Sequence, residues 1–260
     1  MTDSSWEAAW DQRAEKLQKE YPLKTIRHSP NIPDITPQTR KYLRIKALYY
    51  LLKHDRKKLF LRYFLKKPLK NGWGLFRSYL KRKTYLQNGD LFLYGVKSLE
   101  DFETLLQKKN TFLTVGFSYC HKPLECPSGR FTDQCQNDPD HPVCGQCFIG
   151  KCTQTQLDPS LNRVLFIPTI HYIGEKLFDA LEEYPNRNHL FLITACGMTL
   201  EMFADWGNAI GIQGIGIRLG GRICNTMKAF ELSEKGIKTG LTTVSTEAKK
   251  EMLRLLRLRA

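Results

Sequence analysis

From Asp90 onward the chain alternates strand-like apolar runs with helical stretches, and this alternation restricts its fold more than any other feature. LFLYGV (91–96), TFLTVGF (111–117), RVLFIPT (163–169), HLFLITA (189–195) and IQGIGIRL (212–219) read as strands. Helical patterns fall between them at 98–109, 172–184 and 198–206, and TEAKKEMLRLLRLR forms a last helix. Such spacing predicts an α/β fold: a mainly parallel sheet with flanking helices.

The first 89 residues differ in kind. Residues 4–20 form a polar helix with Trp6 and Trp10 on one face. Pro22, Pro30, Pro33 and Pro37 mark 22–37 as an extended linker. Thr36 at the N-cap and Pro37 at N1 start a basic helical stretch that ends before Pro68. NGWG (71–74) reads as a turn, and LFRSYLKRK as another short helix. The expected division is a basic helical extension over 1–89 and an α/β domain over 90–260, with a cysteine-rich insert at 118–160.

Charge follows this division. Residues 40–83 hold 16 Lys or Arg and a single acid, Asp55, so this segment accounts for essentially all of the net charge of +14. Its basic residues are interleaved with Tyr42, Tyr49, Tyr50, Tyr63, Phe64, Trp73, Phe76 and Tyr79. That mixture suits an anionic partner, either nucleic acid or a membrane surface. It equally suits a helical layer that packs its aromatics inward and solvates its lysines.

Six cysteines fall within 33 residues: Cys120, Cys126, Cys135, Cys144, Cys147 and Cys152. The polar N-terminus has neither the basic nor the apolar region of a secretory signal, which predicts a cytoplasmic location with reduced thiols. Disulfides are then disfavoured, and a metal or an iron–sulfur cluster is expected. The pair Cys144-Gly-Gln-Cys147 has zinc-ligand spacing, and Cys126 and Cys135 complete a set of four. Cys120 and Cys196 each follow a predicted strand directly, and Cys224 follows one by five residues. Strand ends of a parallel sheet share one edge, where ligand crevices form, so these three should converge. Cys152 is the fourth residue this grouping assigns to the edge. Zinc and an iron–sulfur cluster both remain open as the occupant, with His121 and His141 as nearby substitutes.

ITACGMTLEMFADWGNAIGIQGIGIRLGGRICNTMKAF resembles the C-terminal signature of a prokaryotic family, domain of unknown function 116. The matching residues are Ala195-Cys196 and Gly221 through Thr226. VCGQCFIGKC is similar to that family's CxxCxxC-like segment, with Cys152 as a displaced third cysteine, and FSYCHKPLECP is similar to its cysteine-bearing loop. The likeness spans about 111–230. It implies a cysteine-rich, metal- or cluster-binding protein and supplies no substrate.

Other features carry less. The glycines of GIQGIGIRLGG lie within a strand pattern and do not open a helix, which points to close backbone packing more than to a dinucleotide loop. Gly220, Gly221 and Arg222 are the expected ligand-approach turn for a small molecule at the sheet edge. Arg130 reads as solvated, and His171 as a structural histidine. The expected function is a cysteine-ligated metalloprotein in a redox or cofactor-handling role, its reaction unspecified. The alternative is a zinc-stabilised module whose basic helices contact nucleic acid or an anionic membrane.

Overall fold

The computed structural model describes residues 3–24, 35–81, 84–238 and 240–260. Its strands are β1 (Leu86–Asn88), β2 (Leu91–Tyr94), β3 (Thr111–Ser118), β4 (Asn162–Ile167), β5 (Asn188–Cys196), β6 (Gln213–Gly221) and β7 (Thr242–Thr243). They form one mixed sheet in the order β1-β2-β6-β5-β3-β4, with β7 paired to the end of β6. β6, β5, β3 and β4 run parallel. β1, β2 and β7 join antiparallel. The α/β class and the mostly parallel sheet thus match the expectation.

The helices are α1 (Asp3–Glu20), α2 (Pro37–Lys41), α3 (Leu43–His54), α4 (Leu59–Lys66), α5 (Pro68–Leu80), α6 (Leu99–Leu106), α7 (Phe148–Thr153), α8 (Ile170–Glu183), α9 (Gly197–Ile210), α10 (Met227–Ser233) and α11 (Thr246–Arg257). Hydroxyl residues start five of them. Thr36, Ser98, Thr169, Thr226 and Ser245 each accept a backbone N–H from the first turn, satisfying a donor the helix leaves open.

Strand periodicity divides the core in two. Along β5, Phe191 and Ile193 face one side with Trp206 and Phe178, whereas Leu190 and Leu192 face the other with Phe102 and Met252. The first side is covered by α8 and α9, the second by α6 and α11. Leu43, Ala47, Tyr50 and Phe60 belong to the first core as well, so α3 and α4 form an outer layer of the same body.

The basic stretch before Pro68 is three helices, where one long helical run was expected. Asp55 breaks it: its carboxylate accepts the N–H groups of Leu59 and Phe60, both at 2.8 Å, and so starts α4. The expected turn at 71–74 lies inside α5. Asn71 is buried, and its Nδ2 donates to the Phe64 carbonyl at 3.0 Å. A Cβ on Gly74 would stand 2.7 Å from the Ala209 carbonyl oxygen, so this glycine lets α5 cross close against α9. Asp205 of α9 ties the layer down. It receives Arg44 Nε at 2.7 Å, Arg44 Nη2 at 2.5 Å and Ser78 Oγ at 2.7 Å. Most of the linker expected at 22–37 lies outside the described residues.

Candidate thiol centres

The carboxyl ends of β3, β4 and β5 are level, with Ser118 paired to Ile167 and Phe117 to Thr194. Cys120 sits in the single 3-10 turn after β3. Cys196 ends β5 and is the N-cap residue of α9. Cys224 lies between β6 and α10. All three line one cavity of about 40 Å³ at this edge. The convergence expected from the strand ends is therefore what the topology produces.

A lysine enters the same cluster. Lys238 Nζ donates to Cys120 Sγ at 3.2 Å. Burial opposes the lysine charge, but Cys120, Cys196 and Cys224 outweigh it and hold Lys238 above its ordinary range. Cys224 is pushed up to about 11 by burial and by Cys196 beside it, and its thiol faces the Ala229 carbonyl at 3.6 Å. Cys196 Sγ lies 3.2 Å from Thr199 Oγ1. Glu234 lines the same cavity. Burial pushes its carboxyl up to about 7, against the Ile170 N–H that it accepts at 2.9 Å.

Cys126, Cys135, Cys144 and Cys147 line a second cavity, of about 20 Å³. That is room for one atom-sized occupant. Gly150 explains the closeness of the CxxC turn to α7, since a Cβ there would stand 2.6 Å from the Cys144 carbonyl oxygen. Lys122, fully buried, knits the surrounding loop by donating to the carbonyls of Gln134 at 2.6 Å and Thr132 at 3.0 Å. Burial raises Cys135 and Cys144 and lifts Cys147 to about 11, with backbone N–H groups working against it in each case. α1 clasps the outside of this loop through Arg13 to Asp140 and Asp11 to Lys151.

The remaining sequence candidates lie apart. Cys152 is buried in the second core, where Cys147, Lys151, Glu7 and Lys249 are its electrostatic neighbours, and it does not line the edge cavity with Cys120. Gly220 and Gly221 extend the sheet by pairing with Thr243 and Thr242, and Arg222 N–H donates to the Leu241 carbonyl. None of the three lines a thiol cavity. Arg130 is a clamp and not a solvated residue. It donates to the carbonyls of Cys120, Lys122, Lys238 and Gly240, and so fastens the first loop to the segment before β7. His171 is structural, with Nε2 donating to the Leu51 carbonyl at 3.1 Å. His141 Nδ1 accepts the Val143 N–H. His121 Nδ1 is buried with no hydrogen-bond partner among the described residues, and burial lowers this imidazole to about 3. The β6 glycines serve packing: a Cβ on Gly214 would meet the Phe191 carbonyl oxygen at 2.4 Å, and one on Gly216 would meet Leu200 at 2.4 Å.

All eight cysteines are free thiols. Among the described residues, no three His, Cys, Asp or Glu side chains are arranged to hold a metal ion as they stand. The donor types suit a soft or borderline cation. Sequence reasoning missed Lys238, Lys122 and Glu234, because nothing in the local pattern marks a charged residue for burial. No helix among the described residues is long and apolar enough to cross a membrane. No protein-family model, curated protein or solved structure matches the chain.

Proposed function

We propose that this chain is a cysteine-ligated metalloprotein with two centres of different character. Cys126, Cys135, Cys144 and Cys147 take one zinc ion, which fastens the insert. Cys120, Cys196 and Cys224 hold an iron–sulfur cluster or zinc at the sheet edge, in a redox or cofactor-handling role.

One observation carries this reading: seven of the eight thiols line two small cavities, four in one and three in the other. Burial favours the protonated form of Cys135, Cys144 and Cys147, and a bound cation reverses that by taking the thiols as thiolates. The insert cavity of about 20 Å³ favours a single ion there over a cluster. At the sheet edge the fourth position has no cysteine, which leaves a site for an exogenous ligand. Lys238 supplies positive charge beside Cys120 and draws Cys224 toward the thiolate, against burial and Cys196.

Purification under anaerobic conditions, followed by elemental analysis and visible spectroscopy, tests the proposal. Zinc at one ion per chain supports the insert centre. Additional iron with broad visible absorbance supports a cluster at the edge, since d¹⁰ zinc is colourless. Protein without either metal, with eight freely titratable thiols, overturns it.

A further inference from the structure

Three helices before the sheet each carry an outward apolar face that the core does not use. In α3 the inward set is Leu43, Ala47, Tyr50 and Leu51, all buried. Ile45, Tyr49 and Leu52 stand on the opposite side and are exposed by 64%, 63% and 54%. Their spacing of four and three residues makes them a single stripe. α5 repeats the arrangement. Asn71 and Ser78 face inward, and Leu69, Trp73, Phe76 and Leu80 form an exposed stripe with the same spacing. Leu61 and Leu65 add a shorter one on α4. The two longer helices are neighbours, because Arg44 of α3 donates to the Ser78 and Lys81 carbonyls and stacks on Tyr79 at 4.6 Å.

Basic residues flank both longer stripes. Lys46 and Lys53 run beside the α3 stripe, and Lys70 and Arg77 beside the α5 stripe, each pair seven residues apart on one face. Acids of α8 and α9 hold Arg40, Arg44, Lys57 and Lys66. Among the described residues, no ion pair holds Lys46, Lys53, Lys70 or Arg77.

We infer that α3, α4 and α5 together dock this protein on an anionic lipid surface. Exposed leucine and isoleucine beside Trp and Tyr, bordered by snorkelling lysines, is the composition that seats in the headgroup and acyl boundary of a bilayer. Nucleic acid offers phosphates and stacking faces but no apolar phase for Ile45, Leu52, Leu69 and Leu80. A second copy meeting this face isologously would bring two segments of 16 basic residues and one acid against each other, which repels. Anionic headgroups complement that charge, and aliphatic side chains gain only in a lipid phase. The inference is independent of the thiol centres.

Co-sedimentation of the full chain with phosphatidylcholine vesicles, with and without a minority of phosphatidylserine, provides the test. The expected result is binding to the anionic vesicles only, weakened by salt, with a blue shift of tryptophan emission. The variant Leu69→Ser/Trp73→Ser/Phe76→Ser and the variant Lys70→Glu/Arg77→Glu should each lower the partition coefficient by about tenfold or more. Both alter exposed positions, and an unchanged melting curve confirms that they fold. Absence of binding to anionic vesicles overturns the inference. So does full binding by the serine variant, tighter binding to a single-stranded RNA oligomer than to vesicles, or dimerisation that the serine variant abolishes.

Discussion

Lys238 Nζ donates to Cys120 Sγ at 3.2 Å, although the two residues are 118 positions apart in the chain. The contact joins the turn after β3 to the segment that follows α10, and it places an ammonium among three thiols. An adjacent cation favours the thiolate form of a cysteine, which is its reactive and metal-binding form. Lys238→Met keeps most of the packing of the stem and removes the charge. In metal-free protein this variant should slow alkylation of Cys224, which the ammonium draws toward the thiolate, as followed by peptide mass mapping. Equal rates in the two proteins would show that the ammonium does not act on that thiol.

The division of cysteines gives a contrast between neighbours. Cys147 lines the insert cavity, and Cys152 is packed in the core five residues later. Under the proposed assignment, Cys147→Ala should abolish zinc binding, whereas Cys152→Ala should retain it and lose about 1 kcal/mol of stability from the missing core volume. Elemental analysis of both variants after gel filtration decides between this division and one in which Cys152 is a ligand.

Most of the sheet, and the meeting of Cys120, Cys196 and Cys224, were legible from the sequence. Buried parallel strands are short apolar runs, and their ends must share an edge, so strand placement alone brought together residues 104 positions apart. The insert set of four was legible through the CxxC spacing. The N-terminal helices were not. NGWG carries every local sign of a turn, and only the close passage of α5 over α9 makes its glycine and buried Asn71 helical. Lys122 was also hidden, because its partners are carbonyls of an irregular loop, and so were Arg130 and Lys238, whose partners include groups more than 100 positions away. Gly220, Gly221 and Arg222 gave a turn-like pattern, yet β7 pairs there and makes it a sheet extension.

Asp205 is 4% exposed and depends on Arg44 for charge compensation. Loss of a partner from a buried pair leaves an uncompensated charge, so Arg44→Ala should destabilise the fold by about 3–5 kcal/mol. Ser78→Ala removes one bond to the same carboxylate and should cost about 1–3 kcal/mol. Urea denaturation of the two variants measures both. A loss below about 1 kcal/mol for Arg44→Ala would mean that α3 and α5 are held by other contacts.

Glu234 makes stability depend on pH. Its carboxyl titrates at about 7 in the folded chain against an ordinary 4.5. The native state therefore binds the extra proton between these values, and stability falls as pH rises from about 4.5 to about 7. Glu234→Gln removes this slope and still offers an oxygen to the Ile170 N–H. The variant should match the parent at the acidic end and exceed it above neutrality by no more than about 3 kcal/mol. Parallel pH slopes for the two proteins would locate the dependence elsewhere.

Zinc-edge X-ray absorption on protein purified without added metal tests the central claim most directly. The account predicts a first shell of sulfur at about 2.3 Å from four cysteines of the insert. A shell of nitrogen or oxygen, or an absence of zinc from protein that melts cooperatively, would contradict it.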